Sequence, residues 1–351
     1  MATVEGIAGP VPAGRPAGAW TIAWRRLRRD KVALASAGVL ILIILACFGG
    51  APLAAKLVGH GPDDLFPYAQ SSLKPVGLWS HVPDTSITES LDPLAPPPTK
   101  YGTTLFVLGG DGPLGRDEFL RVLYGGRVSL EVAIGAAFLA VLIGAVLGTV
   151  AAYFGGVVDS VISRFIDLVM AFPLLLFLVM VGYTTVGNRL SRYTLHGLFS
   201  PGVLALIVII GAFTWFYPAR IVRSEILSLR RREFVTAAES TGAGDPWIIR
   251  KHLLPHVAPT LLVWGSIAVA TNIMLEAGVT FLGAGIKIPT ASWGTLLAST
   301  WGTVANPTGY NPATFSAWPT LAPTGAIFIT VLAFNQLGES LRAVLDPQAI
   351  R

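Results

Sequence analysis

Residues Thr236 to Pro255 read TAAESTGAGDPWIIRKHLLP, a polar, small-residue segment set between long apolar runs. With the preceding Glu233, Phe234 and Val235 it supplies a few helical turns, in which Ala237 and Ala238 let another surface come close. Gly242 suits a helix C-terminus, where a positive φ is commonly needed. Asp245 suits an N-cap and Pro246 the first helical position after it. Trp247, Ile248 and Ile249 give the second helix an apolar face, and Pro255 is placed to close it. The reading is therefore a short helix, a glycine hinge and a second short helix held under a larger bundle. Helices this short gain little stability alone, so they need a surface to pack on.

The flanks set the class. The chain has 351 residues, 53% hydrophobic and 13% charged, with mean hydropathy +0.64. Soluble domains carry about 25% charged residues, so this composition belongs to a polytopic membrane protein. The net charge of +5 is placed in basic loops and not against nucleic acid. Cys47 is the single cysteine and lies in an apolar run, which excludes a disulfide framework and a cysteine metal site.

Six stretches can cross the hydrocarbon: 32–52, 128–154, 161–183, 201–219, 260–284 and 321–341. At 1.5 Å per residue each reaches roughly 30 Å, and helices satisfy their own backbone in lipid. The predicted fold is all-α with six transmembrane helices. A basic tail, 1–31, leads into helix 1, whose apolar run exceeds the roughly 7–15 residues of a signal peptide. Arg25, Arg26, Arg28, Arg29 and Lys31 share a side with the basic residues of the loop 220–258, and the positive-inside rule makes that side cytoplasmic. The core 128–344 then ends in a cytoplasmic tail, 345–351, and the turn-rich loop 53–127 lies outside. A second outer segment, 298–319, carries several aromatics that suit either an interfacial belt or a rim for an external partner.

The spacing Ala237-Ala238, Gly242 and Leu254-Pro255 resembles the signature loop of ABC importer permeases. Four further blocks fit the dipeptide, oligopeptide and nickel branch, second (C-type) subunit: PLGRDEFLRVLYGGRVSL from Pro113, FGGVVDSVISRFIDLVMAFP from Phe154, EAGVTFLGAGIKIPTASWGTLL from Glu276 and FITVLAFNQLGESLRAVLDP from Phe328. Thr236 stands where the general signature has glutamate, and His252 stands at a usual aliphatic position. Both departures fit the peptide branch.

The resemblance implies a type I importer permease fold. It makes Glu233, Thr236, Ala237, Ala238, Gly242, Ala243, Asp245, Pro246, Leu254 and Pro255 an ATPase-coupling loop seated on cytoplasmic subunits. It implies a sister permease, two cytoplasmic ATPase subunits and an extracytoplasmic substrate-binding protein, in a bacterial cytoplasmic membrane with both termini inside. Peptides are the implied cargo, with nickel chelates or another small solute as the alternative. The chain has no G-x-x-x-x-G-K-[ST] loop and no Gly-Lys pair, so it is read as non-catalytic and without a cofactor, with ATP and Mg on its partners.

Charges inside spans are costly and mark candidate sites. Arg164 and Asp167, three apart, are placed to pair along one helix. Glu276 lies deep in the fifth span and is either a helix–helix contact or a path or gate residue. A proton-coupled secondary transporter is the rival reading; it predicts inverted repeats and Gly/Pro-broken spans, and neither is evident in the sequence. A membrane hydrolase is disfavoured because all five histidines fall in predicted loops and His252/His256 lack the glutamate of H-E-x-x-H.

Overall fold

The computed structural model describes residues 25–66, 76–83, 103–111, 115–195, 197–304 and 318–345. Most of the basic tail, the C-terminal tail beyond 345 and parts of both outer segments lie outside these residues. The described chain is helical: α1 (Lys31–Leu45), α2 (Ala51–Val58), α3 (Glu118–Phe154), α4 (Gly156–Met170), α5 (Leu174–Tyr183), α6 (Thr185–Leu190), α7 (Val203–Thr214), α8 (Phe216–Leu229), α9 (Glu233–Ser240), α10 (Asp245–Ile248), α11 (Leu254–Phe281), α12 (Trp293–Val304) and α13 (Trp318–Leu345). Two short strands, β1 (Ser80–Pro83) and β2 (Thr103–Phe106), pair antiparallel with Ser80 opposite Phe106.

Among the described residues four helices are long and apolar enough to cross a membrane, and the number is six if each of two bent pairs makes one span. The third and fourth stretches are not straight spans. α4 and α5 meet at 83°, and α7 and α8 at 42°. Pro173 caps α5 from an extended conformation and explains the first break; Pro218, which has no N–H for the Thr214 carbonyl four residues back, explains the second. So the expectation of unbroken spans is corrected, although the breaks fall in consecutive spans and not at matching points of two halves.

The start of α3 also differs from expectation. It begins at Glu118, ten residues before the apolar run, because Asp117 accepts the N–H groups of Phe119 and Leu120 at 2.8 and 3.2 Å. Glu118 and Arg121 are ionisable residues yet buried, so this added length carries no hydrophobic signature.

Above them the outer segment is organised, not merely turn-rich. Phe66, Val82 and Phe106 form a small core. His60 joins Asp117 through Nε2 at 3.1 Å and Thr104 through Nδ1 at 3.2 Å. Arg121 donates to Asp63 at 2.7 Å, and Arg116 to Asp111 at 2.6 Å.

In the bundle, α3 is the central post. A Cβ at Gly144 would lie 2.8 Å from the Trp215 carbonyl, and one at Gly148 2.5 Å from that of Ala219. The two glycines, four residues apart, let α3 meet the α7–α8 pair backbone to backbone, the small-residue packing used between helices in lipid.

Candidate coupling element and buried polar contacts

The segment Thr236–Pro255 sits under the end of α3. α9 ends in a paired cap: Ala243 N–H donates to the Ala238 carbonyl at 3.1 Å and Gly242 N–H to that of Glu239 at 3.0 Å. Gly242 carries φ +80°, a left-handed turn that suits glycine. The second helix departs from the sequence reading in two ways. Gly244 is its N-cap, leaving Asp245 and Pro246 within the first turn. Asp245 is free of capping because its carboxylate accepts the Tyr153 hydroxyl at 2.8 Å.

Pro255 does not close that helix. Asp245–Phe281 runs on as one 37-residue helix. A wide turn over Ile249–Leu253 lets Leu254 N–H donate to the Ile249 carbonyl, five residues back, just ahead of the proline that cannot donate. His252 and His256 therefore lie on helix and not in a loop.

The inner face is a core: Val235, Ile248, Leu253 and Val257 pack with Ala152, Tyr153, Val222 and Ile226, all buried. The outer face holds Glu233, Thr236, Ala237, Gly242, Asp245, Pro246 and Pro255, all exposed, while Ala238, Ala243 and Leu254 are half-buried. A firm inner anchor with a bare, small-residue outer face is the geometry of a docking knob. Trp247 stands beside it, 51% exposed, with its ring 4.9 Å from that of His252. Sequence reading put Trp247 on one apolar face with Ile248 and Ile249, and it missed Tyr153, which lies 92 residues from Asp245. Arg230 adds its guanidinium 5.2 Å from the Tyr153 ring centre.

Arg164 and Asp167 do not pair along α4. Asp167 takes Arg220 of α8, and Asp159 takes Arg223 through both guanidinium Nε and NH2. Arg220 and Arg223 sit one turn apart on α8 and match two aspartates of the same neighbour, so the contact crosses helices. Phe165 stacks on Trp215 beside them, centroids 6.0 Å apart. The two bends are thus tied together, and α8 runs directly to the segment Glu233–Pro255.

Glu276 is fully buried. Ser129 Oγ donates to its Oε2 at 2.8 Å and Thr280 Oγ1 to its Oε1 at 3.0 Å. Ser129 Oγ also accepts Trp293 N–H at 3.1 Å. The carboxylate therefore joins α11 to α3 and, through Ser129, to the start of α12.

Residues 140–351 match the family described as binding-protein-dependent transport system inner membrane component. The chain belongs to that family. The permease also matches, over 18–75, the N-terminal TM domain of oligopeptide transport permease C. It is 32% identical to the oligopeptide transport system permease protein OppC of Escherichia coli K12, over 94% of this chain and 91% of that one. It is 34% identical to OppC of Haemophilus influenzae over 72% of each chain. A putative peptide permease protein of Brucella ovis is 35% identical over 69% of this chain and 72% of its own. The permease is accordingly a multi-pass subunit of an ABC importer, with the all-α fold of that class.

Proposed function

We propose that the permease is a non-catalytic subunit that forms, with a sister permease, the path of an ATP-driven oligopeptide importer. Two cytoplasmic ATPase subunits drive it, holding ATP and Mg themselves. An extracytoplasmic binding protein delivers cargo. The chain sits in a bacterial cytoplasmic membrane with both termini inside. Peptide cargo is supported by the names of the relatives. The observation that carries the coupling role is the segment Glu233–Pro255, whose buried face packs on α3 and α8 while its small-residue face stands exposed.

In mechanism, closing of the ATPases on nucleotide displaces this knob. The Tyr153–Asp245 bond and the core around Ile248 pass the displacement to α3, and the α8 arginines pass it to α4. The knob acts as a lever because it is continuous with α11.

The test is site-directed crosslinking in the assembled importer. Ala237→Cys, on the exposed face, should crosslink to an ATPase subunit, and the yield should change on trapping with ATP and vanadate. Ala152→Cys, in the core, should give no crosslink. An Ala237 position that labels freely with a soluble maleimide in the intact complex contradicts the coupling role.

A further inference from the structure

Both helix breaks open on one cavity. It measures about 250 Å³ and is walled by Leu174, the first residue of α5 after the 83° elbow, by Thr214 and Tyr217 on either side of the Trp215 kink, and by α11 from Trp264 to Leu275. Ala140 and Ala268 leave room at its wall. Interrupted helices at membrane depth are tolerated where they are buried in protein or line a cavity, and here both breaks line one.

The lining defines what fits. None of the lining residues is Asp, Glu, Lys, Arg or His, so a charged group entering this site would find no counter-charge and would lose hydration. The polar groups are neutral: Thr214, Thr271, Asn272, Tyr217 and Trp264. Asn272 is held in place because its Nδ2 donates to the Ala133 carbonyl at 3.3 Å. Thr271 and Tyr217 are exposed at the rim. Hydroxyl-bearing residues there suit a wet path or a partner helix better than hydrocarbon. Apolar walls with a few fixed neutral polar groups are the usual make-up of a small-molecule pocket.

We propose that this cavity is a side-chain subsite on the cargo path, taking one uncharged, apolar or aromatic side chain of a peptide in transit. The assignment rests on the reading of the permease as a peptide importer and adds a selectivity to it. The subsite favours peptides with a bulky uncharged residue and passes acidic and basic ones without holding them.

The experiment uses the complete importer in proteoliposomes with Ala-Ala-Ala, Ala-Phe-Ala and Ala-Lys-Ala as cargo. Thr271→Phe, at the exposed rim, and Ala268→Phe, at the wall, should each lower uptake of Ala-Phe-Ala about tenfold relative to Ala-Ala-Ala. Asn272→Asp should raise Ala-Lys-Ala relative to Ala-Phe-Ala. Equal loss of all three peptides, with ATP hydrolysis intact, overturns the subsite, as does unaltered relative uptake. If the filled variants fail to assemble, Thr271→Cys decides: Ala-Phe-Ala should slow its alkylation by N-ethylmaleimide more than Ala-Ala-Ala does, and equal rates overturn the subsite. A wild-type importer that takes up none of the three peptides overturns the peptide reading itself, a distinct result.

Discussion

The Tyr153 hydroxyl donates to the Asp245 carboxylate at 2.8 Å, tying the last turn of the central helix to the first turn of the segment beneath it. Tyr153 is buried and Asp245 exposed, so the bond sits at the edge of the anchor and not at its centre. Tyr153→Phe keeps the ring and its contact with Arg230 but removes the bond. A hydrogen bond of this kind contributes about 1 kcal/mol. Membrane insertion and ATPase binding should survive, and solute moved per ATP hydrolysed should fall roughly fivefold. Full coupling in that variant would place the transmission in the apolar core alone.

Gly242 offers a separate handle. Its φ is +80° and an added Cβ meets nothing within 4 Å. Within the chain, Gly242→Ala therefore costs only backbone strain, roughly 1–2 kcal/mol. Gly242→Asn should cost less, because asparagine visits this region more readily. Gly242→Asp should abolish uptake and co-purification of the ATPase while leaving insertion intact, since it alone of the three adds a charge to the face that the partner would cover. Pull-down of the ATPase subunits with each variant checks the order Gly, Asn, Ala, Asp.

Glu276 accepts two hydroxyl donors in a fully buried site. Glu276→Gln retains an acceptor and most of the packing. It should lower thermal stability by about 1–2 kcal/mol and leave ATP-driven uptake near normal. Glu276→Leu leaves the Ser129 and Thr280 hydroxyls without this acceptor and should cut the yield of assembled complex. Loss of uptake in a well-assembled Glu276→Gln importer would assign the carboxylate to the path.

The two ion pairs between α4 and α8 should differ in strength. Asp167 and Arg220 are 53% and 49% exposed, whereas Asp159 and Arg223 are 22% and 33% exposed and joined through two bonds. Exposed pairs contribute about 0.2–1 kcal/mol, and bidentate, less exposed ones more. Double-mutant cycles on melting of the detergent-solubilised permease should give the larger coupling energy for Asp159–Arg223.

Asp30 lies ahead of the first span and caps α1. The Ala33 N–H, then the Ser340 hydroxyl and, last, the Val32 N–H, hold its carboxyl below the usual carboxylate range, against an opposing effect of desolvation. A lowered folded-state pKa means the cap's contribution is complete above the unfolded carboxylate value and is lost as pH falls through the folded one. Hydrogen exchange at Val32 and Ala33 should accelerate relative to neighbouring amides below about pH 4. Asp30→Asn, which caps without titrating, should remove that pH dependence.

Much of this was readable in advance because hydrocarbon sets a length. A run such as 32–52 can be recognised without knowing its neighbours. The cap at Gly242 was equally legible, since it depends on one residue's backbone freedom. The elbow at Pro173 and the kink at Trp215, three residues ahead of Pro218, both had a visible cause and were read through, because the apolar run continues across each. The extra turns from Glu118 to Arg127 were hidden by charges that are buried only once the outer segment folds over them. Partner choice was the least legible. Asp167 had a cation three residues away, yet tertiary packing gave it Arg220, and nothing near Asp245 in sequence points to Tyr153.

The most direct test is transport by purified components. Proteoliposomes holding this permease, its sister, the ATPase pair and the binding protein should accumulate tripeptide only with ATP, and vanadate should stop them. The permease alone, given a proton or sodium gradient and no nucleotide, should accumulate nothing. Concentrative uptake under that gradient would contradict the account.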